Sequence, residues 1–155
     1  MGIERSLLAT QGYIELGMPA EALAEIDQLS AEDREREEVL QLRLFILMHS
    51  RSWAAAAEVC DRLRGLFPGT STGYIHGAFC HHELGRTADA KRLLLSGPPS
   101  LASEATYFYN LGCYDAVLGN VEEATAALKT SFEMDNKFRE IAKYDPDLKS
   151  VSELL

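Results

Sequence analysis

The sequence predicts an all-α protein made of repeated helical hairpins, and three observations support this fold class. A short phrase recurs with a strict 34-residue period and ends in an alanine each time, at Ala22, Ala56, Ala90 and Ala124. The position four residues further on is apolar in every copy, at Ile26, Cys60, Leu94 and Leu128. Apolar residues around the phrase recur at three- and four-residue spacing, which is the period of a helix. This combination indicates a stack of helix–turn–helix units.

Each unit is predicted to hold two helices joined by a tight turn. Residues 4–16 and 74–84 carry the helical period and end in Leu-Gly, because glycine tolerates the left-handed conformation found at helix C-termini. The recurring alanine then falls in the second helix. A larger side chain there would overpack a close contact between helices, at a cost of about 1–3 kcal/mol. A hairpin of this size cannot bury its apolar face alone, so neighbouring units are expected to stack.

The repeat boundaries follow from the period. We place the repeats at about residues 3–36, 37–70, 71–104 and 105–138, with a capping tail at 139–155, in one domain covering residues 1–155. Ser96-Gly97-Pro98-Pro99 is expected to shorten the second helix of the third repeat, since consecutive prolines cannot continue a helix. Residues 136–143 and 146–155 are predicted capping helices. Asp145-Pro146 starts the second of them, and its predicted apolar stripe is Leu148, Val151 and Leu155.

The fourth unit carries the pattern most fully, in Tyr107-Phe108-Tyr109-Asn110-Leu111-Gly112, then Leu118-Gly119, Ala124 and Leu128. In these residues the chain resembles the tetratricopeptide repeat (TPR) family over about residues 3–138. The earlier units depart in detail and have Ala9-Thr10, Arg43-Leu44 and Gly77-Ala78 in place of Leu111-Gly112. The resemblance implies a right-handed α-α superhelix (solenoid) of four TPR hairpins plus C-terminal capping helices. It also implies a concave groove, lined by the first helices, that binds partners.

Composition and charge exclude several classes of function. The chain has 155 residues, 24 of them Asp or Glu against 15 Lys or Arg, and a formal net charge of −9. An acidic chain without a basic patch repels phosphate backbones, so no nucleic-acid partner is expected. No stretch approaches the roughly 20 apolar residues that span a bilayer, so no membrane association is expected. The three cysteines, Cys60, Cys80 and Cys113, are widely spaced and fit a reducing compartment, so we expect a cytoplasmic protein.

The sequence offers little catalytic or metal-binding chemistry. It has no GxSxG, HExxH or EF-hand pattern and no glycine-rich phosphate loop. His76, Cys80, His81 and His82 fall on one predicted helix, and His76 and Cys80 share a face as two ligands for zinc or copper would. Two ligands make half a site, even with Cys113 approaching from the next unit, and Cys80 fits better as a small buried residue. We therefore expect no enzyme activity, no metal and no cofactor.

The concave face implied by the resemblance supplies the candidate partner-binding residues. They are Leu7, Gln11, Ile14, Gln41, Phe45, Met48, His49, Ile75, Phe79, His82, Tyr109, Asn110 and Cys113. The set contains no lysine or arginine, which argues against the clamp that some TPR proteins use for the C-terminal carboxylate of heat-shock chaperones. Its apolar and aromatic members suit insertion of side chains from a peptide or helix.

We therefore expect a non-catalytic protein–protein interaction module that acts as an adaptor, co-chaperone or assembly factor. Two alternatives remain for the apolar face, because the capping tail could cover it or a second copy could bury it in a homodimer or larger scaffold. The size, acidity and apolar groove also resemble the repeat-containing chaperones of bacterial type III secretion translocators. That group generally has three repeats behind an N-terminal helical extension, whereas this sequence begins its first repeat at about residue 3.

Overall fold

The computed structural model describes residues 2–155, which are mostly helical and include no β-strand. The all-α fold class predicted from the repeat period is confirmed. The chain divides into two compact units, one ending at Phe67 and the other comprising residues 68–155. The prediction of a single domain over residues 1–155 stays a prediction. Within residues 2–155, no helix combines the length and the apolar character that crossing a bilayer requires.

The first unit contains two helical hairpins with a short helix between them. Its elements are α1 (Ile3–Glu15), α2 (Pro19–Asp27), α3 (Ala31–Arg34), α4 (Glu37–His49) and α5 (Trp53–Leu66). Ala22, Ile26, Val39 and Ile46 form a buried cluster in which α2 meets α4. Half-buried side chains of α1 pack against this cluster, so α1 keeps a partly exposed face.

The second unit repeats this plan and adds a C-terminal extension. Its elements are α6 (Thr72–Glu83), α7 (Thr87–Leu95), a 3₁₀ helix (Pro99–Ser103), α8 (Ala105–Val117), α9 (Val121–Met134), α10 (Lys137–Ala142) and a second 3₁₀ helix (Pro146–Leu154). One buried cluster joins α6 to α9 and includes Leu148 and Val151 of the extension. The extension is therefore part of the core of this unit.

The two units share one internal plan at an offset of two repeat lengths, the interval from Ala22 to Ala90. Helices α2 and α7, α4 and α8, and α5 and α9 begin and end at positions that differ by this offset. The short helix α3 and the 3₁₀ helix Pro99–Ser103 also begin one such offset apart. The second helix has 9 residues in the odd repeats and 14 in the even ones. Residues at this two-repeat offset can therefore be compared one to one.

Every hairpin turns through the same backbone motif. Gly17, Gly85 and Gly119 have positive φ angles of 69°, 80° and 85°, and Arg51 takes the same position with φ 57°. Each of these residues donates its backbone N–H to the carbonyl three positions earlier, at 2.9–3.2 Å, and the next residue donates to the carbonyl five positions earlier, at 2.8–2.9 Å. This is the Schellman motif that glycine favours. The second repeat makes the turn with an L-residue.

The two interior columns predicted from the repeat are confirmed. The four recurring alanines, at positions 22, 56, 90 and 124, are fully buried, with 0% exposure. The residues four positions further on, Ile26, Cys60, Leu94 and Leu128, are also 0% exposed. Full burial leaves no room for a larger side chain in the first column, and in the fourth repeat the Ala124 carbonyl oxygen lies only 3.2 Å from where a Cβ atom on Gly112 of the facing helix would stand.

The irregular segments follow the sequence prediction, with one correction. Helix α7 ends at Leu95, just before the Ser-Gly-Pro-Pro run, and the Asp145 side chain caps the last helix by accepting the backbone N–H of Asp147 at 3.0 Å. That last helix is 3₁₀, with three residues per turn, so Leu148 and Val151 align and are buried. Leu155 is 37% exposed, so its predicted place in the apolar stripe is wrong.

One buried charge fixes the contact between α7 and α8. Asp115 is 2% exposed and accepts hydrogen bonds from Lys91 Nζ at 2.6 Å and Asn120 Nδ2 at 2.9 Å. The paired amine and amide compensate much of the free energy of removing the carboxylate from water. Within the 34-residue repeat, Asp115 occupies the position that Tyr13 occupies in the first repeat.

Candidate protein-interaction site

In the first unit, the candidate residues lie on α1 and α4 and remain accessible. The set consists of Leu7, Gln11 and Ile14 on α1, and Gln41, Phe45, Met48 and His49 on α4. Gln11, Gln41, Phe45 and His49 are exposed, and the others are half-buried. The structure therefore brings these side chains together on a surface that solvent reaches.

Part of this surface forms an open cleft of about 540 Å³, here called the first-unit cleft. Its walls include Ile14, Met18, Pro19, Phe45, Ile46 and His49. Phe45 is 45% exposed, and its ring lies 4.0 Å from the His49 ring, centroid to centroid. His49 Nδ1 lies 3.0 Å from the Phe45 carbonyl oxygen, and the Ser50 hydroxyl donates to the Ile46 carbonyl at 2.7 Å. The two polar side chains of the cleft are thus engaged by carbonyls of their own helix.

In the second unit, several candidate residues are buried. Ile75 is 4% exposed, and Tyr109 and Cys113 are each 5% exposed, whereas Phe79, His82 and Asn110 are half-buried. The sequence left open whether the capping tail covers the groove. Within residues 68–155 it does, because residues 145–155, here called the C-terminal segment, pack across α8.

Two side chains of α8 contact the start of the C-terminal segment. Tyr109 donates its hydroxyl hydrogen to Asp145 Oδ2 at 2.6 Å, and Cys113 Sγ lies 3.6 Å from the same oxygen. The Tyr109 ring stacks on Phe138 of α10 with a centroid distance of 4.9 Å. Asp145 therefore links the end of the chain to the face that the sequence predicted to bind a partner.

His82 forms the second contact with the C-terminal segment. Its Nε2 lies 2.8 Å from Asp147 Oδ2, and its Nδ1 lies 2.9 Å from the Thr87 hydroxyl oxygen. The imidazole ring also lies 5.0 Å from the Tyr114 ring, centroid to centroid. Leu148, directly after Asp147, is 1% exposed. Polar pairing and apolar burial together therefore hold the segment on α6 and α8.

Burial controls the ionisation of this region. It raises the pKa of the Cys113 thiol, and the charges of Asp145 and Asp147 raise it further. Burial also raises the pKa of Tyr109, with the hydrogen bond to Asp145 as the next contribution. Both groups are therefore protonated at neutral pH. Cys113 is a weak hydrogen-bond donor here, and its thiol lacks the thiolate character of a nucleophile.

The structure gathers a different set of potential metal ligands from the set that the sequence suggested. Among residues 2–155, Cys113, Asp145 and Asp147 offer ligand atoms within 4.8 Å of one another. His76 and Cys80 do not form such a group with a third ligand in this part of the chain. The cluster already has protein partners, because Asp145 accepts from Tyr109 and Asp147 lies against His82. Its geometry is accounted for by the docking of the C-terminal segment.

No family model and no curated protein match the chain. Solved structures of MamA, a TPR-repeat protein, match it over most of its length. MamA 41-end from Desulfovibrio magneticus RS-1 has a TM-score of 0.76 at 18% identity and covers 97% of this chain and 89% of its own. A double mutant of MamA RS-1 has the same TM-score and identity, with 97% and 93% covered. Another crystal structure of MamA has a TM-score of 0.75 at 16% identity, with 88% and 80% covered. The chain has a TPR-type fold.

Within this TPR-type fold, the sequence analysis missed the residues that close the second unit's face. It identified Asp145 as a helix start, but it assigned no contact with the groove to Asp145, Asp147 or Phe138. The available signal was local, since an Asp-Pro pair marks the beginning of a helix without showing where that helix packs. The thirteen partner-binding residues stay a prediction, and the structure places seven of them on an accessible surface of the first unit.

Proposed function

We propose that the chain is a non-catalytic protein-interaction module that binds an apolar peptide or helix and acts as an adaptor, co-chaperone or assembly factor. The observation that carries the proposal is the first-unit cleft. It combines an open volume within the usual range of ligand sites with walls that are mainly apolar. The TPR-type fold agrees with this proposal, because such folds present the faces of their first helices to partners.

The exposed part of Phe45 gives the scale of the interaction. Burying a complete phenylalanine side chain contributes about 1.5–3 kcal/mol, so covering its remaining exposed 45% contributes about 1 kcal/mol. Ile14 and Met48 are half-buried and add smaller amounts when a partner covers them. A single cleft of this kind supports binding through a few anchoring side chains, as in other interfaces with helices or peptides.

The chemistry of the cleft supports recognition rather than catalysis. His49 and Ser50 contact the carbonyls of Phe45 and Ile46, and no hydrogen bond between the imidazole and the hydroxyl is present in this part of the chain. A catalytic serine needs a base within hydrogen-bonding distance of its hydroxyl group. Cys113, the buried thiol of the other unit, is held protonated by its surroundings.

The test compares two variants of exposed apolar residues in the first unit. Phe45→Ala removes a wall of the cleft, whereas Leu8→Ala removes a side chain that is 74% exposed and outside the cleft walls. Cross-linking and affinity purification identify proteins retained by wild type and Leu8→Ala but lost with Phe45→Ala. Calorimetry with such a partner in purified form is expected to show at least fivefold weaker binding for Phe45→Ala. Equal retention of every partner by both variants would refute the proposal.

Self-association is the second candidate, because an exposed apolar cleft also suits a second copy of the chain. Sedimentation over a range of micromolar concentrations separates the two possibilities. A concentration-dependent mass that Phe45→Ala abolishes would show a homodimer or scaffold. We also propose that the protein is cytoplasmic. The three cysteines support this location, because all of them are buried free thiols and free thiols persist in a reducing compartment.

A further inference from the structure

We propose that the first-unit cleft binds a short helical segment of another protein. In the second unit, the C-terminal segment places Asp147 against His82. Ile14 occupies the position of His82 in the first unit, and the partner segment places an apolar side chain against it. The inference rests on the proposed function and deepens it by stating the chemistry of the partner. It comes from comparing the two units at their two-repeat offset. One unit has its site filled by the chain itself, and the other has the matching site open.

The positions of the two sites correspond residue by residue. At the two-repeat offset, the cleft residues Ile14, Phe45 and Ile46 match His82, Cys113 and Tyr114 of the second unit. Pro19, another wall of the cleft, matches Thr87, the hydrogen-bond partner of His82. The helices α4 and α8 share their boundaries at the same offset, as do α2 and α7. The first-unit cleft is therefore the counterpart of the site where Asp147 docks.

The C-terminal segment shows what kind of ligand this site accepts. It is a 3₁₀ helix that places Asp147 against His82 and buries Leu148 and Val151, three residues apart, in the core of the second unit. A short helical stretch with two apolar residues at that spacing therefore fills the site. It makes its polar contacts through one imidazole, one phenol and one thiol, those of His82, Tyr109 and Cys113.

The first-unit cleft lacks the polar groups that surround Asp147 in the second unit, whereas Tyr109, the partner of Asp145, is matched by Gln41, whose amide can still donate a hydrogen bond. Isoleucine replaces His82, proline replaces Thr87, and phenylalanine replaces Cys113, at Ile14, Pro19 and Phe45. None of these three side chains can donate a hydrogen bond. A carboxylate at the position of Asp147, whose side chain is 34% exposed when docked, would lose part of its hydration without gaining a donor from these three residues, which is unfavourable. The C-terminal segment of a second copy is therefore a poor occupant, and a partner segment with an apolar residue at that position fits.

Two synthetic peptides test this inference directly. One has the sequence of residues 143–155, and the other is the same peptide with Asp147→Leu, each carrying an N-terminal fluorescein. Fluorescence anisotropy with the full chain is expected to show at least tenfold tighter binding of the leucine peptide. Phe45→Ala is expected to weaken its binding at least fivefold, and Leu8→Ala to leave it unchanged. Equal affinities of the two peptides, or no binding of the leucine peptide up to millimolar concentration, would overturn the inference.

A reciprocal variant distinguishes a specific site from general hydrophobic adhesion. Ile14→His restores the imidazole of the second unit, so the native peptide is expected to gain affinity and the leucine peptide to lose it. Phe45→Lys, a change at an exposed side chain, provides an independent version in which an ammonium group favours the native peptide. Circular dichroism at 222 nm checks that both variants are folded. A leucine peptide that binds the folded variants as tightly as it binds wild type would show non-specific adhesion and overturn the inference.

The outcomes also separate the inference from the proposed function. A purified partner that depends on Phe45 but places a carboxylate against Ile14 would overturn the inference and leave the proposed function intact. Failure to find any Phe45-dependent partner would refute the proposed function, whatever the two peptides do. Self-association that Phe45→Ala abolishes would assign the cleft to a second copy and overturn the inference in that form.

Discussion

Replacing Arg51 with glycine is expected to stabilise the protein. Arg51 holds φ at 57°, whereas glycine occupies the same turn position in the other three repeats. The left-handed conformation costs an L-residue about 1–2 kcal/mol, and glycine loses about 0.5–1 kcal/mol more backbone entropy on folding. The difference predicts that Arg51→Gly raises the free energy of unfolding by about 0.5–1 kcal/mol.

The matched control is Gly17→Ala, in the same unit and at the same position of the turn. A Cβ atom at Gly17 would meet no atom within 4 Å, so the change reports backbone conformation alone. It is expected to destabilise the protein by a similar amount, with the opposite sign.

Urea unfolding measures both changes, and the fluorescence of Trp53, the only tryptophan, reports on the first unit. With a slope of about 2 kcal/mol per molar urea, the midpoint rises by about 0.3–0.5 M for Arg51→Gly and falls by a similar amount for Gly17→Ala. Arg51→Ala, which removes the charge but keeps an L-residue, is expected to leave the midpoint nearly unchanged. If Arg51→Gly leaves the midpoint unchanged or lowers it at a constant slope, the assignment of strain to Arg51 is wrong.

Two further predictions concern packing and pH. Gly112→Ala would place a Cβ atom 2.6 Å from Leu128 Cγ, so it is expected to destabilise the protein by about 1–3 kcal/mol. The control is Gly12→Ala, whose Cβ atom would meet no atom within 4 Å and which is expected to stabilise the protein by up to about 1 kcal/mol. Equal effects of the two variants on thermal unfolding would contradict this prediction. Burial lowers the pKa of His76, so stability is expected to fall as the pH drops below about 6.5, where the unfolded chain binds a proton more readily. When the pH falls from 7.5 to 5.5, His76→Gln should lose less stability than wild type, and the difference between the two losses is at most about 1.4 kcal/mol. If urea unfolding shows an equal or greater loss for His76→Gln, the lowered pKa of His76 does not cause the pH dependence.

The all-α hairpin fold was predictable because its signals are local and repeated. The spacing of Ala22 and its three counterparts identifies the hairpins, and glycine marks three of the four turns. The turn at Arg51 follows from the period, although the residue itself argues against it. The plan shared at the two-repeat offset is harder to detect, since it depends on helix lengths that the single-repeat columns do not show.

The candidate site was only partly predictable, because its closure in the second unit depends on distant contacts. Tyr109 and Asp145 are 36 residues apart, and His82 and Asp147 are 65 apart. Helical periodicity identifies the face that carries Tyr109 but contains no information about which segment packs on it. Leu154 and Leu155 are 53% and 37% exposed, so burial in the last helix ends at Val151. The helical period shows which residues share a face, but it does not show where the surface that covers them stops.

The docking of the C-terminal segment sets the valency that we infer for the protein. Of two sites at matching positions, one is satisfied within the chain and one is open, so a single chain binds one external segment of the proposed kind. A protein with a valency of one terminates or escorts a binding partner, whereas cross-linking partners into a network requires at least two open sites. Release of the segment would withdraw Leu148 and Val151 from the core and expose a second site in which His82 favours a carboxylate, so the two sites of one chain would then select different partners.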